Sequence, residues 1–152
     1  MQTETGYSPI ETPSLERKIK KFQKKFLTLD TPAEKYHLLM DLGKTLPAID
    51  PQYKTGDYLV RGCQSELYIH AEQRDGLIFF SAGTDALISA GLAALLVETY
   101  SGETIETILK EPPHFLQALG IYASLSPNRA QGIFHIYQKM KLLAILLSQK
   151  QP

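Results

Sequence analysis

The chain has 152 residues, 16 Lys+Arg against 16 Asp+Glu, and one cysteine, Cys63. This length suits one domain that buries about two-thirds of its unfolded surface, and the balanced charge argues against a general nucleic-acid binder. No apolar run approaches the roughly 20 residues that span a bilayer, and one thiol supplies neither an intramolecular disulfide nor a four-cysteine metal or cluster site.

Residues 1–13 are polar, carry Glu4 and Glu11, and contain two prolines without an apolar leader stretch. They read as a flexible tail, followed by a single domain over 14–150. A lone cysteine without an export signal points to a reducing cytoplasm. From Ser14, the residues Leu15, Ile19, Phe22, Phe26 and Leu29 step by four and three, which predicts an amphipathic helix. Between them lie Arg17, Lys18, Lys20, Lys21, Lys24 and Lys25. They read as a solvated face, with a docking patch for an acidic partner as the alternative.

Thr31-Pro32-Ala33-Glu34 has the form of a capping box with proline in the first turn, so a second helix is expected to run to about Leu46. Loop signals follow at Asp50-Pro51 and Thr55-Gly56-Asp57. Three short strands are then expected, at 58–61, 66–72 and 77–82, the last two joined by a tight turn at Asp75-Gly76. The second puts Leu67, Ile69 and Ala71 on one face, and the third reads as buried throughout.

Thr84-Asp85 reads as the cap of a helix over 86–99 that is apolar nearly all round and therefore central. Gly91 in its middle costs about 1 kcal/mol relative to alanine unless close packing offsets it. Short helices are expected over 104–111 and 113–119. Ser126-Pro127 opens a last helix, with Ile133, Ile136, Tyr137, Met140, Leu143, Ala144 and Leu147 as its buried stripe. The order predicts an α+β fold: a small three-stranded antiparallel sheet packed with several helices.

Cys63 falls in the connection between the first two expected strands, after Arg61 and Gly62. Its chemistry is open among a nucleophile, a redox sensor, a carrier of one sulfur atom and an inert packed residue. Gly62 permits a sharp bend, and Arg61 is a candidate to stabilise a thiolate. A hydrolase needs an imidazole base. Of His37, His70, His114 and His135, His70 is the best candidate by spacing, although seven residues place the two on opposite faces of a continuous strand. No metal-binding or phosphate-loop spacing occurs. Arg129 lies about three residues into the last helix, where a cation opposes the helix dipole. That position is an exposed ion-pairing site or a fixed charge for a partner or the Cys63 loop. Asp85 suits a first-turn acid that favours the dipole.

With these residues in place, the chain resembles the SufE family of sulfur acceptors, which includes the CsdE proteins. The resemblance covers roughly 29–141. It rests on Glu34-Lys35-Tyr36 with Leu42-Gly43 and Leu46-Pro47, on Gly62-Cys63-Gln64-Ser65, on Thr84-Asp85-Ala86 with Gly91-Leu92, and on Leu125-Ser126-Pro127-Asn128-Arg129 with Gly132. Tyr68 stands where tryptophan is common, Ala90 where lysine is common, and Asn128 where serine is usual.

The resemblance implies a fold shared with U-type cluster scaffolds. It also implies that Cys63 accepts persulfide sulfur from a cysteine desulfurase (SufS/CsdA-like), stimulates it, and delivers sulfur to a SufBCD-like iron–sulfur scaffold. Arg61, Gln64, Asp85 and Arg129 are then the expected partner-facing residues. No cofactor or metal is expected on this chain, since pyridoxal phosphate belongs to the desulfurase. No nucleic-acid or membrane partner is expected, and no turnover independent of the desulfurase. The alternatives are a cysteine-nucleophile hydrolase or acyl transferase, and an interaction module in which Cys63 only packs.

Overall fold

The structure is a computed structural model that describes residues 14–63 and 65–150. The expected tail at 1–13 and Gln64 lie outside the described residues. Six helices and one hairpin are described: α1 (Ser14–Leu27), α2 (Pro32–Lys44), β1 (Tyr68–Arg74), β2 (Leu77–Gly83), α3 (Leu87–Tyr100), α4 (Ile105–Lys110), α5 (Phe115–Ala118) and α6 (Pro127–Gln149). The fold is α+β, as expected.

Local chemistry sets the helix starts. At α2, Thr31 Oγ1 accepts from the Glu34 amide at 3.2 Å, and the Glu34 carboxylate accepts from the Thr31 amide at 3.0 Å. This capping box satisfies donors that the helix itself leaves free. At α6, Ser126 Oγ accepts from the Arg129 amide at 3.3 Å, and Pro127 takes the first position. The start of α3 differs from expectation. Ala86 is its N-cap, and Thr84 Oγ1 accepts instead from the Ala86 amide at 3.3 Å. Asp85 therefore precedes the helix and is not in its first turn.

α3 is the centre of the core. Eleven of its 14 residues are buried, which is why it shows no polar face. It packs on α2, β2, α6 and α1. Gly91 has a packing reason: a Cβ there would collide with the Leu39 carbonyl oxygen of α2. Gly43 of α2 answers it, since its Cβ would lie 2.8 Å from the Gly91 nitrogen. Two glycines facing each other let the helices cross closely, which offsets the propensity cost.

The sheet has two strands, not three. β1 and β2 pair antiparallel from Tyr68↔Gly83 to Arg74↔Leu77, through a turn whose residues Asp75 and Gly76 have φ of 53° and 79°. Such angles form the tight hairpin that Asp-Gly favours. The expected strand at 58–61 does not form. Residues Gly56–Tyr58 make a 3-10 turn, and Leu59 makes only an isolated bridge to Tyr68. The Val60 amide donates to the Leu67 carbonyl at 2.8 Å, and then the chain turns away at Gly62, with φ of 90°. β2 also departs from expectation. Ile78, Phe80 and Ala82 are buried while Leu77, Phe79 and Ser81 are only half-buried, as befits a sheet with one covered face.

α1 buries Leu15, Phe22 and Phe26. Its basic face is not wholly solvated. Lys18 Nζ lies 2.7 Å from Glu103 Oε2 and donates to the Ser101 carbonyl at 2.6 Å. That ties α1 to the C-terminal end of α3.

Candidate functional site around Cys63

The Cys63 loop leaves the hairpin edge and returns to it within a few residues. The Val60–Leu67 hydrogen bond closes its base. On the return side, Ser89 Oγ of α3 donates to Ser65 Oγ at 3.3 Å. On the outgoing side Gly62 rests on α6, where a Cβ would lie 2.7 Å from Cε1 and Nε2 of His135. Only glycine readily combines a φ of 90° with so close a contact.

This geometry turns the thiol inward. Cys63 is half-buried and packs against the hydrophobic core. It lines a cavity of about 20 Å³ with Ser89 and Leu92 of α3 and Asn128, Arg129, Gly132 and Ile136 of α6. Gly132 leaves room at the sulfur, since even a Cβ there would stand 3.7 Å from Sγ. Burial disfavours the thiolate and pushes the Cys63 pKa up. The resting thiol is therefore protonated at neutral pH and is a poor nucleophile.

Arg129 and Cys63, 66 positions apart in the sequence, thus share one cavity. Arg61 is exposed. Together with burial, its charge helps lower the pKa of Lys139, whose Nζ donates to the Asp57 carbonyl at 2.7 Å. Asp85 is exposed just before α3 and does not line the cavity.

His70, the histidine favoured by spacing, stacks on Tyr53 with ring centroids 3.5 Å apart and meets the edge of Tyr58. Its pKa is lowered, mainly by burial. It lines a different cavity, with Tyr58, Lys139 and Leu142. Among the described residues, none hydrogen-bonds the Cys63 thiol.

The histidine at the loop is His135, which sequence spacing passed over. The available signal was helical: Arg129, Gly132 and His135 step by three along α6. Among the described residues no group of three or more His, Cys, Asp or Glu is placed to hold a metal ion. No described helix is long and apolar enough to cross a membrane.

The family model for SufE, an Fe-S metabolism associated domain, matches residues 20–144. The chain is 37% identical over 145 residues to SufE-like protein 1, chloroplastic/mitochondrial, of Arabidopsis thaliana, covering 93% of this chain and 38% of that protein. It is 33% identical to an uncharacterized SufE-like protein of Synechocystis, covering 88% of this chain and 81% of the relative. It is 32% identical to the cysteine desulfuration protein SufE of Plasmodium vivax, covering 93% and 59%. The chain thus spans about two-fifths of the Arabidopsis protein and three-fifths of the Plasmodium one. The solution structure of a hypothetical protein from Thermus thermophilus shares the fold, with a TM-score of 0.72 at 21% identity over 91% of this chain and 98% of that one. With one family model running through the helices and hairpin that enclose Cys63, the chain belongs to the SufE family.

Proposed function

We propose that the protein is a sulfur carrier. Cys63 accepts sulfane sulfur from the persulfide of a cysteine desulfurase and delivers it for iron–sulfur cluster assembly. Family membership and the naming of the Plasmodium relatives as cysteine desulfuration proteins support a sulfur-transfer role.

The observation that carries the reading is the cavity at the thiol. About 20 Å³ is room for roughly one water-sized sphere, which is close to the size of one added sulfur atom. A persulfide formed on Cys63 has somewhere to rest, away from solvent reductants.

The step is a thiol exchange. The Cys63 thiol first loses its proton to solvent as it leaves the cavity. The thiolate then attacks the outer sulfur of the donor persulfide. One S–S bond forms and one breaks, and the donor cysteine departs as its thiolate. No net electrons are exchanged, and a nucleophile on the acceptor repeats the step. The buried resting pose makes reaction conditional on loop movement, so a docked partner decides when the thiol is competent. Arg129 is the partner-sensing residue in the cavity wall. Arg61, Gln64 and Asp85 are the further partner-binding residues. The SufS/CsdA-like donor and SufBCD-like acceptor fit this role, with the chain acting as activator and carrier without independent turnover. No observation favours a cysteine hydrolase, because His70 is held against Tyr53 and His135, although it lies at the loop, makes no hydrogen bond to the thiol among the described residues.

The test is incubation with a cysteine desulfurase and cysteine, followed by non-reducing mass spectrometry. One added sulfur on Cys63, lost in Cys63→Ser, is expected. An unmodified Cys63, or transfer that survives the serine variant, sinks the proposal.

A further inference from the structure

The Cys63 loop lies on α6 through two contacts at neighbouring positions of one helix face. Gly132 faces Sγ, and His135, three residues on, faces Gly62. Three ring atoms of His135 (Cε1, Nε2 and Cδ2) would each stand within 2.7–2.8 Å of a Gly62 Cβ. The imidazole therefore occupies the space that the glycine leaves open. Among the described residues the ring makes no hydrogen bond. Its contribution here is contact with the loop backbone, one residue from the thiol.

We propose that His135 is a positioning residue for Cys63: its ring is the rest on which the loop seats, and it sets how often the thiol leaves its cavity. This builds on the sulfur-carrier reading above. The ring contact exists only while the loop is seated. Whatever free energy it contributes weights the seated state and nothing else, so its loss shifts the population toward the open one. In the open state the thiol meets water, ionises more readily and reacts faster. Rate and ionisation midpoint must then move together, and a melting temperature measured alongside separates this from general loss of stability.

The experiment uses the isolated protein and iodoacetamide, with the alkylation rate followed from pH 6 to 10. His135→Ala is expected to react about fivefold faster at neutral pH, the lower end of the shift in an equilibrium that losing one modest interaction produces. Its midpoint should lie below that of the unsubstituted protein. His135→Phe keeps a ring under Gly62 and should restore the slow rate. Gly62→Ala drives a Cβ into the imidazole from the other side and should speed the reaction with His135 itself unsubstituted. Should His135→Ala melt early, the Gly62→Ala and His135→Phe pair carries the comparison.

Unchanged rate and midpoint in a folded His135→Ala overturn the proposal whatever Gly62→Ala does, because the positive φ at Gly62 strains an alanine by itself. So does a His135→Phe protein as fast as His135→Ala. No desulfurase is present, so either result leaves the sulfur-carrier reading standing. A failed sulfur-loading assay likewise leaves the alkylation result intact.

Discussion

Cys63 Sγ and Gly132 face each other across a gap that one methyl group would begin to close, since a Cβ at Gly132 would stand 3.7 Å from the sulfur. Gly132→Ala adds that methyl in ordinary contact with the resting thiol. Replacing a helical glycine with alanine should raise stability by about 0.5–1 kcal/mol, or roughly 1–4 °C in Tm for a chain of this size. The added atom takes space from the outer sulfur of a persulfide. The expected outcome is a more stable protein whose persulfide is lost faster to a mild reductant, measured by calorimetry and timed mass spectrometry. Unchanged persulfide lifetime would show that the cavity is not where the sulfur rests.

The raised Cys63 pKa gives a pH dependence with a definite sign. The folded state favours the protonated thiol over the unfolded chain, in which cysteine ionises at about 8.5. The associated stability is fully present below that value and is lost as pH rises through the higher folded pKa. Denaturant titrations should show an alkaline loss of stability that is smaller in Cys63→Ala. Alkylation of the isolated protein should have its midpoint above that of free cysteine, and a bound desulfurase should lower it.

Arg129 separates docking from folding. Its backbone amide, not its guanidinium, completes the Ser126 cap, so Arg129→Ala keeps α6 intact. Removing a cation near a helix N-terminus even stabilises by a few tenths of a kcal/mol. Calorimetric titration with the desulfurase should nevertheless show weaker binding, by about tenfold if the side chain is an interface anchor. Unaltered affinity would move the partner's footprint off this cavity wall.

Gly91→Ala should act oppositely to Gly132→Ala. Its Cβ meets the Leu39 backbone carbonyl, and backbone yields poorly. Overpacking of this kind costs about 1–3 kcal/mol, well beyond the gain in helix propensity. A chemical denaturation midpoint that rises instead would show that α2 and α3 separate without penalty.

Features written in neighbouring residues were legible in the sequence. The Thr31–Glu34 box and the Ser126-Pro127 start needed no tertiary information, and the buried stripe of α6 followed from its period. What depended on distant parts of the chain was not legible. Residues 58–61 alternate like a strand, yet pairing stops after Val60 because the turn at Gly62 takes the chain to α6. Lys18 looked like one more solvated lysine until Glu103, 85 positions away, proved to be its partner. Cys63 stood out in the sequence as the candidate reactive residue, and its motif carried the family resemblance. His135 was not identifiable, because its relation to Gly62 exists only once α6 lies beneath the loop.

The closed base of the loop limits how far the sulfur can travel. Between the Val60–Leu67 hydrogen bond and the Ser65–Ser89 contact, the thiol hangs on a tether a few residues long. Such a tether reaches about 10 Å at most. Two protein-sized bodies do not fit around a point with so little swing. Under the proposed carrier role, donor and acceptor would have to visit the same small patch in turn, making the protein a relay station with a single platform.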